Sequence, residues 1–473
     1  MKHMIPRFYQ LTIGLTAGLF LLTILDTFSQ TTHVLSASQA TQQAMKYSTE
    51  VKNALLDIRI QQQINREFTA ITYPQLNASM TLNRFFDIPV NTIPDFISPS
   101  VYQVLVNNGV KDGNGNTIAF PTDGFGLVPA RFGTNWTASG GIDISQILFD
   151  GQVFVGLKAR SATLKLAEQN MEVTKETIKA NVYKMYYQLL VGKQQATSID
   201  ANITRFENLL RDTRAIHQNG LAEKLDVDKV EVQLNNLRTE KVKIENQLDI
   251  GHAALKFMLQ LPQKDTLVLS DTLSEQLLTN FTTTDSLTYE NRPEIRQLNT
   301  ALKLGVYNIQ RFQLSRIPTL VAFGSFSKNA QRNTFDFFNQ GPWFSTSLVG
   351  IKLNAPLFDG NARRSRINKA KLELQKTKNT YEKVKQAIDL EYVSAQKKME
   401  SAMNTLATQK SNVTLAEKVY NTTKLKYEQG LGSNLEIYSA QTELKMAQNN
   451  FYGALYDAVI AGIDFQKAIG KLP

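Results

Sequence analysis

Between Gly360 and Gly430 the chain has no proline and no glycine. Ile367, Leu374, Tyr381, Ile388, Ala395 and Ala402 recur there at every seventh position. That spacing predicts a long helix wound against neighbouring helices. The run breaks at Tyr427-Glu428-Gln429-Gly430-Leu431-Gly432-Ser433-Asn434. A second proline-free run then carries Ala440, Leu444, Ala447, Phe451 and Ala454, in alternating steps of four and three. Glycine supplies the turn, because it takes a left-handed backbone without steric penalty. The stretch from Leu357 to Gly470 therefore reads as a very long helical hairpin.

The hairpin occurs twice. Leu148-Phe149-Asp150-Gly151-Gln152 matches Leu357-Phe358-Asp359-Gly360-Asn361 at an offset of 209 (357 − 148). Gln218-Asn219-Gly220-Leu221 and Leu225-Asp226-Val227 match Glu428-Gln429-Gly430-Leu431 and Leu435-Glu436-Ile437 at 210 (428 − 218). A duplication of this size dictates the fold. Two or three ordinary domains could be made from 473 residues, yet one plan used twice favours a single elongated architecture. A helix from Gln152 to Gln218 would run roughly 100 Å, which no compact domain needs.

Taken in order, the chain opens with Lys2 and Arg7 before an apolar run from Leu11 to Leu25, then Thr27-Phe28-Ser29. The apolar core is short for a membrane span, so residues 1–29 are expected to be a secretory signal peptide, with a retained anchor as the alternative. Ser36 is placed to cap a helix from Ala37 to about Ile71, ended by Tyr73-Pro74. The period then becomes two: Leu76, Ala78, Met80 and Leu82 alternate with Asn77, Ser79, Thr81 and Asn83, the pattern of a strand with one apolar face. A second strand is expected over Trp136 to Ser145, after a long loop containing the turn signal Asp112-Gly113-Asn114-Gly115.

In the second copy Asn291-Arg292-Pro293-Glu294 starts a helix that Ile317-Pro318 ends, and strands follow over Thr319 to Ser327 and Ser345 to Ala355. The expected organisation is a first repeat at 30–260, an irregular connector at 261–288 and a second repeat at 289–473. Each repeat reads helix, two strands, long helical hairpin.

Composition removes several function classes. The chain has no cysteine, which excludes disulfides and thiolate metal sites. His3, His33, His217 and His252 have no ligand spacing, and no phosphate-cradling G-x-x-x-x-G-K-[ST] surrounds Gly220 or Gly430. No nucleophile elbow or metal-ligand set points to catalysis, so no enzyme activity, metal or cofactor is expected. The formal charge of +10 raises the question of nucleic acid. Its richest basic stretch, from Arg363 to Lys398, interleaves Glu373, Glu382, Asp389 and Glu391, as a solvated helix face does. No nucleic-acid partner is expected.

Four strands with one apolar face suit a crossing of hydrocarbon, but four cannot close a barrel. Open edges in lipid would leave backbone groups unpaired, so other copies must complete the sheet. The soluble alternative is a sheet capping a helical bundle, in a non-transporting periplasmic coiled-coil scaffold.

The two LFDG junctions, Pro74 and Pro318 after the shorter helices, Asn291-Arg292-Pro293-Glu294, and the twin turns resemble the TolC-like outer-membrane efflux family. The match runs from about Ser36 to Leu472, and the order and duplication of its motifs carry it. The resemblance implies a mainly α chain with a membrane β part. Three chains would form a twelve-stranded β-barrel continued by a long α-helical barrel through the periplasm. It implies the passive exit duct of a tripartite efflux or secretion system, in the outer membrane and in contact with its lipid. The partners would be a periplasmic adaptor (membrane fusion) protein and an inner-membrane transporter of RND or ABC type. Secreted protein or polysaccharide is the alternative cargo. Gly220, Leu221, Gly430 and Leu431 would be adaptor-contact tips. Family apertures are narrowed by acidic side chains after the second turn: Glu436 takes the first such position, Ser439 stands at the next, and Gly432 replaces a family arginine. Tyr427 and Asp226 match positions that link the hairpins. The plain alternative for Asp226 and Glu436 is first-turn complementation of the helix dipole.

Overall fold

The computed structural model describes residues 31–273, 286–339 and 341–472; the expected signal peptide and part of the connector lie outside them. The contacts divide the chain into two compact units, Met1–Gln62, Ser161–Leu304 and Glu373–Pro473 forming one, Gln63–Arg160 and Gly305–Leu372 the other.

The second of these units holds a four-stranded antiparallel sheet in the order β2-β5-β7-β8, where β2 is Gln75–Arg84, β5 Trp136–Phe149, β7 Thr319–Arg332 and β8 Phe344–Asn354. Residues directly across a ladder share a face. One face therefore carries the rows Leu76–Ile144–Gly324–Val349 and Ala78–Ile142–Phe326–Ser347. The opposite face carries Asn77–Asp143–Ser325–Leu348 and Ser79–Gly141–Ser327–Thr346. β2 and β8 are free edges, and every residue of β2 is exposed. The period-two reading of the sequence is thus a sheet with one apolar and one polar face.

Three expectations for this unit change. The region between the first two strands is not all loop: β3 (Val90–Pro94) pairs with β4 (Leu127–Arg131), and helix α3 (Ile97–Asn107) lies between them. Asp95 starts that helix by accepting from the backbone N–H groups of Ile97 and Ser98, at 3.1 and 2.9 Å. β5 and β7 also run several residues past their expected ends.

Third, the two LFDG junctions differ. Leu148 and Phe149 belong to β5, and helix α4 (Gly151–Gln218) begins at once. A Cβ on Gly151 would sit 2.9 Å from the Leu314 side chain, so close approach requires the glycine. Leu357 and Phe358 instead lie beyond β8, Gly360 and Asn361 turn through positive φ, and the return helix α7 starts at Ala362. The aspartate does the same work in both: Asp150 accepts from Gln152 N at 2.7 Å, and Asp359 from Arg363 N at 3.0 Å.

The other unit is built from helices. The predicted helix from Ala37 to Ile71 is two, α1 (Ala37–Tyr47) and α2 (Thr49–Ala70). Ser48 divides them by taking an extended conformation while its hydroxyl accepts from Val51 N, so it caps the second helix. Ser36 and Gln39 form a reciprocal capping box on α1. α4 and α5 (Lys224–Met258) make the first hairpin, and α7 (Ala362–Glu428) and α8 (Asn434–Ala468) the second; α6 is Pro293–Leu314.

Ala37, Ala40 and Ala44 of α1 let it pack closely on Tyr183, Tyr186, Tyr187, Leu255 and Leu259, with Ala458 and Ile463 of α8 in the same core. A parallel ladder joins β1 (Thr32–Leu35) to β6 (Thr266–Leu269), and Tyr186 donates to Leu35 O at 2.9 Å beneath it. The heptad residues Ile388 and Ala395 are buried, as the spacing required.

Arg292 explains the Asn-Arg-Pro-Glu motif. Its guanidinium, 5% exposed, donates to both oxygens of Glu294 at 3.1 Å and to Glu391 at 2.9 Å. It also donates to the carbonyls of Lys467 and Ala468 in the last turn of α8, at 3.2 and 3.0 Å; Lys467 O accepts from Gly470 N as well.

Candidate docking tips and aperture

The two hairpin turns are built alike. Gly220 N bonds His217 O and Leu221 N bonds Ile216 O; Gly430 N bonds Tyr427 O and Leu431 N bonds Lys426 O. This paired pattern closes a helix through a left-handed residue, and the two glycines have φ of 75° and 73°. Each turn then projects a leucine: Leu221 is 81% and Leu431 77% exposed, with Leu225 and Leu435 also exposed behind them. The duplication thus yields twin tips with the same apolar side chains and no β-carbon at the bend.

Past each bend a carboxylate enters the first helical turn. Ser433 caps α8 by accepting from Glu436 N at 3.2 Å, whereas Glu223, capping α5, makes no side-chain bond. Asp226 lies 3.9 Å from Lys229, and Glu436 and Ser439 are exposed. Each acid opposes the positive end of its helix, which suffices to stabilise the turn.

Tyr427 is half-buried beside Thr213 of α4. Burial, joined by the charges of Asp212 and Asp226, pushes its phenol above its usual range, while a hydrogen bond with Thr213 pulls it back. Thr213, fully buried, donates to the Asn434 side chain at 3.2 Å. The structure therefore brings together Tyr427, Thr213 and Asn434 from three helices. Asp226 lies near enough to influence Tyr427 through its charge, and its ion-pair partner is Lys229.

A polar seam continues along α8. Gln448 accepts from Ser198 and Asn202 at 3.2 and 3.0 Å, and Glu240 accepts from Lys445 at 2.6 Å and Asn449 at 3.3 Å. Gln441, 1% exposed, has no partner for either amide atom among the described residues. Asn434, Gln441 and Gln448 are seven residues apart, between the buried Ile437 and Leu444. That spacing was a readable signal for a polar track along one helix face.

Among the described residues no cluster of His, Asp and Glu could hold a metal, and no helix is long and apolar enough to cross a membrane. The family profile described as outer membrane efflux protein matches residues 131–259 and 286–471, both hairpins and most of the sheet. The chain belongs to this family. As an outer membrane efflux protein it is an outer-membrane exit duct, and its long helices are the tunnel-forming part of that architecture.

Outer membrane protein TolC of Vibrio cholerae is 19% identical over 339 residues, covering 71% of this chain and 77% of that protein. The alkaline protease secretion protein AprF of Pseudomonas aeruginosa is 20% identical over 327 residues, covering 68% and 67%. The crystal structure of the outer membrane protein VceC from Vibrio cholerae superposes with a TM-score of 0.68 at 13% identity. It covers 92% of this chain and 96% of that one. The fold is accordingly that of the channel proteins.

Proposed function

We propose that three copies of this chain close a twelve-stranded barrel and form the passive outer segment of a tripartite export system. One observation carries the reading: a four-stranded sheet has one apolar face and two unpaired edge strands, β2 and β8. Unpaired edges are not tolerated in hydrocarbon, so β8 of one copy pairs with β2 of the next. Residues 1–29 act as the export signal. The repeats at 30–260 and 289–473, joined by 261–288, supply one sheet half and one hairpin each. The mass of the detergent-solubilised particle, corrected for detergent, tests this; a monodisperse conducting monomer would sink it.

The twin tips contact a periplasmic adaptor, which links the duct to an energised RND or ABC-type transporter of the inner membrane. Leu221 and Leu431 dock between partner helices, and Gly220 and Gly430 allow a backbone to come near. A Cβ on Gly430 meets no atom within 4 Å, so a substitution there strains the positive-φ backbone without a clash at the β-carbon. Gly430→Trp is expected to abolish export while assembly and membrane insertion persist. Normal export with normal adaptor crosslinking would refute the tip assignment.

Asp226 and Glu436 line the aperture, with Tyr427 bridging the hairpins and Ser439 one turn beyond Glu436. A second cargo reading, secreted protein, is favoured by the likeness to the protease secretion protein AprF. The transported class separates the two: retained peptide substrates or retained small toxicants in a strain lacking this chain.

A further inference from the structure

We propose that the Arg84 end of the sheet, opposite the strand ends that join α2, α4, α6 and α7, binds the phosphate-bearing headgroup of an outer-leaflet lipid, through Arg84 and Lys328. The proposal rests on the reading of the sheet as part of a membrane barrel whose apolar face meets lipid.

The register places the residues. On the apolar face, rows headed by Leu76, Ala78 and Met80 lead to Leu82–Ala138–Ala330 and finally Arg84–Trp136–Arg332. Lys328 stands in the Met80–Gly140–Lys328–Ser345 row. The last row adjoins the β2–β3 and β7–β8 connections, opposite the strand ends that join α2, α4, α6 and α7. Arg84 and Arg332 thus end the apolar band, and Lys328 interrupts it two rows earlier on the same face.

These three cations are not equivalent. Arg332 is 9% exposed and is spent on the hairpin, bonding Pro342 O at 2.8 Å and Gln331 O at 2.9 Å, with Asp336 at 3.3 Å. Arg84 and Lys328 are exposed, and among the described residues neither is in an ion pair. Arg84 is held in place by two rings: its guanidinium carbon lies 4.8 Å from the centre of Phe86 and 5.3 Å from that of Trp136. Trp136 in turn packs edge-on against Phe335 at 5.1 Å. Aromatic rings beside a cation at the margin of an apolar band are the chemistry of the bilayer interface.

Unpaired cations at that depth are satisfied by headgroup anions. Arg84 and Lys328 are four residues apart along the strands, about 13 Å, and two strands apart, about 10 Å. The spacing fits a large headgroup with more than one phosphate better than a single small anion.

Trp136 and Trp343 are the only tryptophans of the chain, so fluorescence reports on this rim. The experiment uses the full-length assembled protein with Trp343→Phe, in neutral detergent, titrated with a bis-phosphorylated glycolipid. The expected result is a saturable change in Trp136 emission. Half-saturation should move about 30-fold higher in Arg84→Gln/Lys328→Gln, for two lost charges at the surface. Arg84→Lys/Lys328→Arg should retain binding, which separates lost charge from lost fold. Phosphatidylcholine should give no saturable change, and inorganic phosphate should not compete at equal concentration.

Equal affinity in the glutamine variant, an equal response to phosphatidylcholine, or full competition by inorganic phosphate would each overturn the site. Particle mass and bilayer conductance are measured on the same preparations. Normal conductance with no lipid response defeats this proposal alone, whereas a parent protein without conductance defeats the barrel reading beneath it.

Discussion

Arg292→Ala should loosen the junction where α6 begins and α8 ends. In the folded chain the guanidinium makes two bonds to Glu294, one to Glu391 and two to terminal carbonyls of α8. Truncation leaves two carboxylates facing the negative end of α8 and takes the Arg292 donor from Ala468 O, while Lys467 O keeps Gly470 N. Breaking a fully buried charge pair costs about 3–5 kcal/mol. Glu294 and Glu391 are 29% and 37% exposed, so water recovers part of that loss. About 2–4 kcal/mol of local stability is the expected deficit.

Hydrogen exchange over residues 462–472 is the suitable assay, because it reads local opening without requiring reversible unfolding of the whole assembly. A deficit of about 2 kcal/mol corresponds to roughly 30-fold faster exchange. Lysine should recover less than half of this, since a point charge cannot replace a fork that serves four acceptor groups.

The pH dependence has a defined sign. Burial pushes the Glu294 carboxyl up, but its bonds to Arg292 outweigh that and hold it below its usual range. A depressed folded value means stability that is present above the unfolded pKa, about 4.3, and lost as pH falls through the folded one. The parent should lose protection in that acid window, and Arg292→Ala should show a flatter profile. Exchange within threefold of the parent at neutral pH would refute the reasoning.

Further outcomes follow from the tips and the seam. Leu221→Asp/Leu431→Asp should leave thermal stability nearly unchanged, within about 0.5 kcal/mol for exposed sites, while export in cells is lost. Tyr427→Phe removes one hydroxyl between hairpins; conductance in planar bilayers should rise if that bond holds the aperture narrow. Glu436→Gln should lower cation preference with little change in conductance, because carboxylates at an aperture attract cations. Unchanged reversal potentials would make Glu436 only a helix-terminus charge. Gln441→Leu should stabilise the hairpin contact by about 1–3 kcal/mol, because it removes an unpaired buried amide, and a lowered denaturation midpoint would contradict this.

Much of this architecture was legible because it rests on periodicity. The seven-residue spacing through Ile388 and Ala395 specified a buried helix face, and strict alternation from Leu76 to Asn83 specified a two-faced strand. Gly220 and Gly430 were readable because a left-handed turn leaves few other choices. Ser48 was missed: a serine within a helical pattern is ambiguous until its hydroxyl finds Val51 N. Helix α3 was missed for another reason. It is a short element that neither copy repeats, so the duplication said nothing about it.

The candidate site was legible only along the chain. Pairing Gly220 with Gly430, and Asp226 with Glu436, needs only an offset. Which side chains meet across helices depends on rotation and axial shift, which an offset does not carry. Thr213 donates to Asn434 and lies beside Tyr427, whereas Asp226 reaches Tyr427 only through its charge.

The same geometry divides α8 into two halves with different physics. Towards its C-terminus Ala458, Ile463, Phe465 and Ile469 are buried in apolar cores, held by contacts that water cannot replace. Towards the tip Asn434, Gln441 and Gln448 interrupt the apolar track. Their hydrogen bonds exchange for water at little net cost, and Gln441 gains partners only on exposure. One helix therefore carries an apolar root and, towards its tip, a polar track beside the apolar core that holds Ile437 and Leu444.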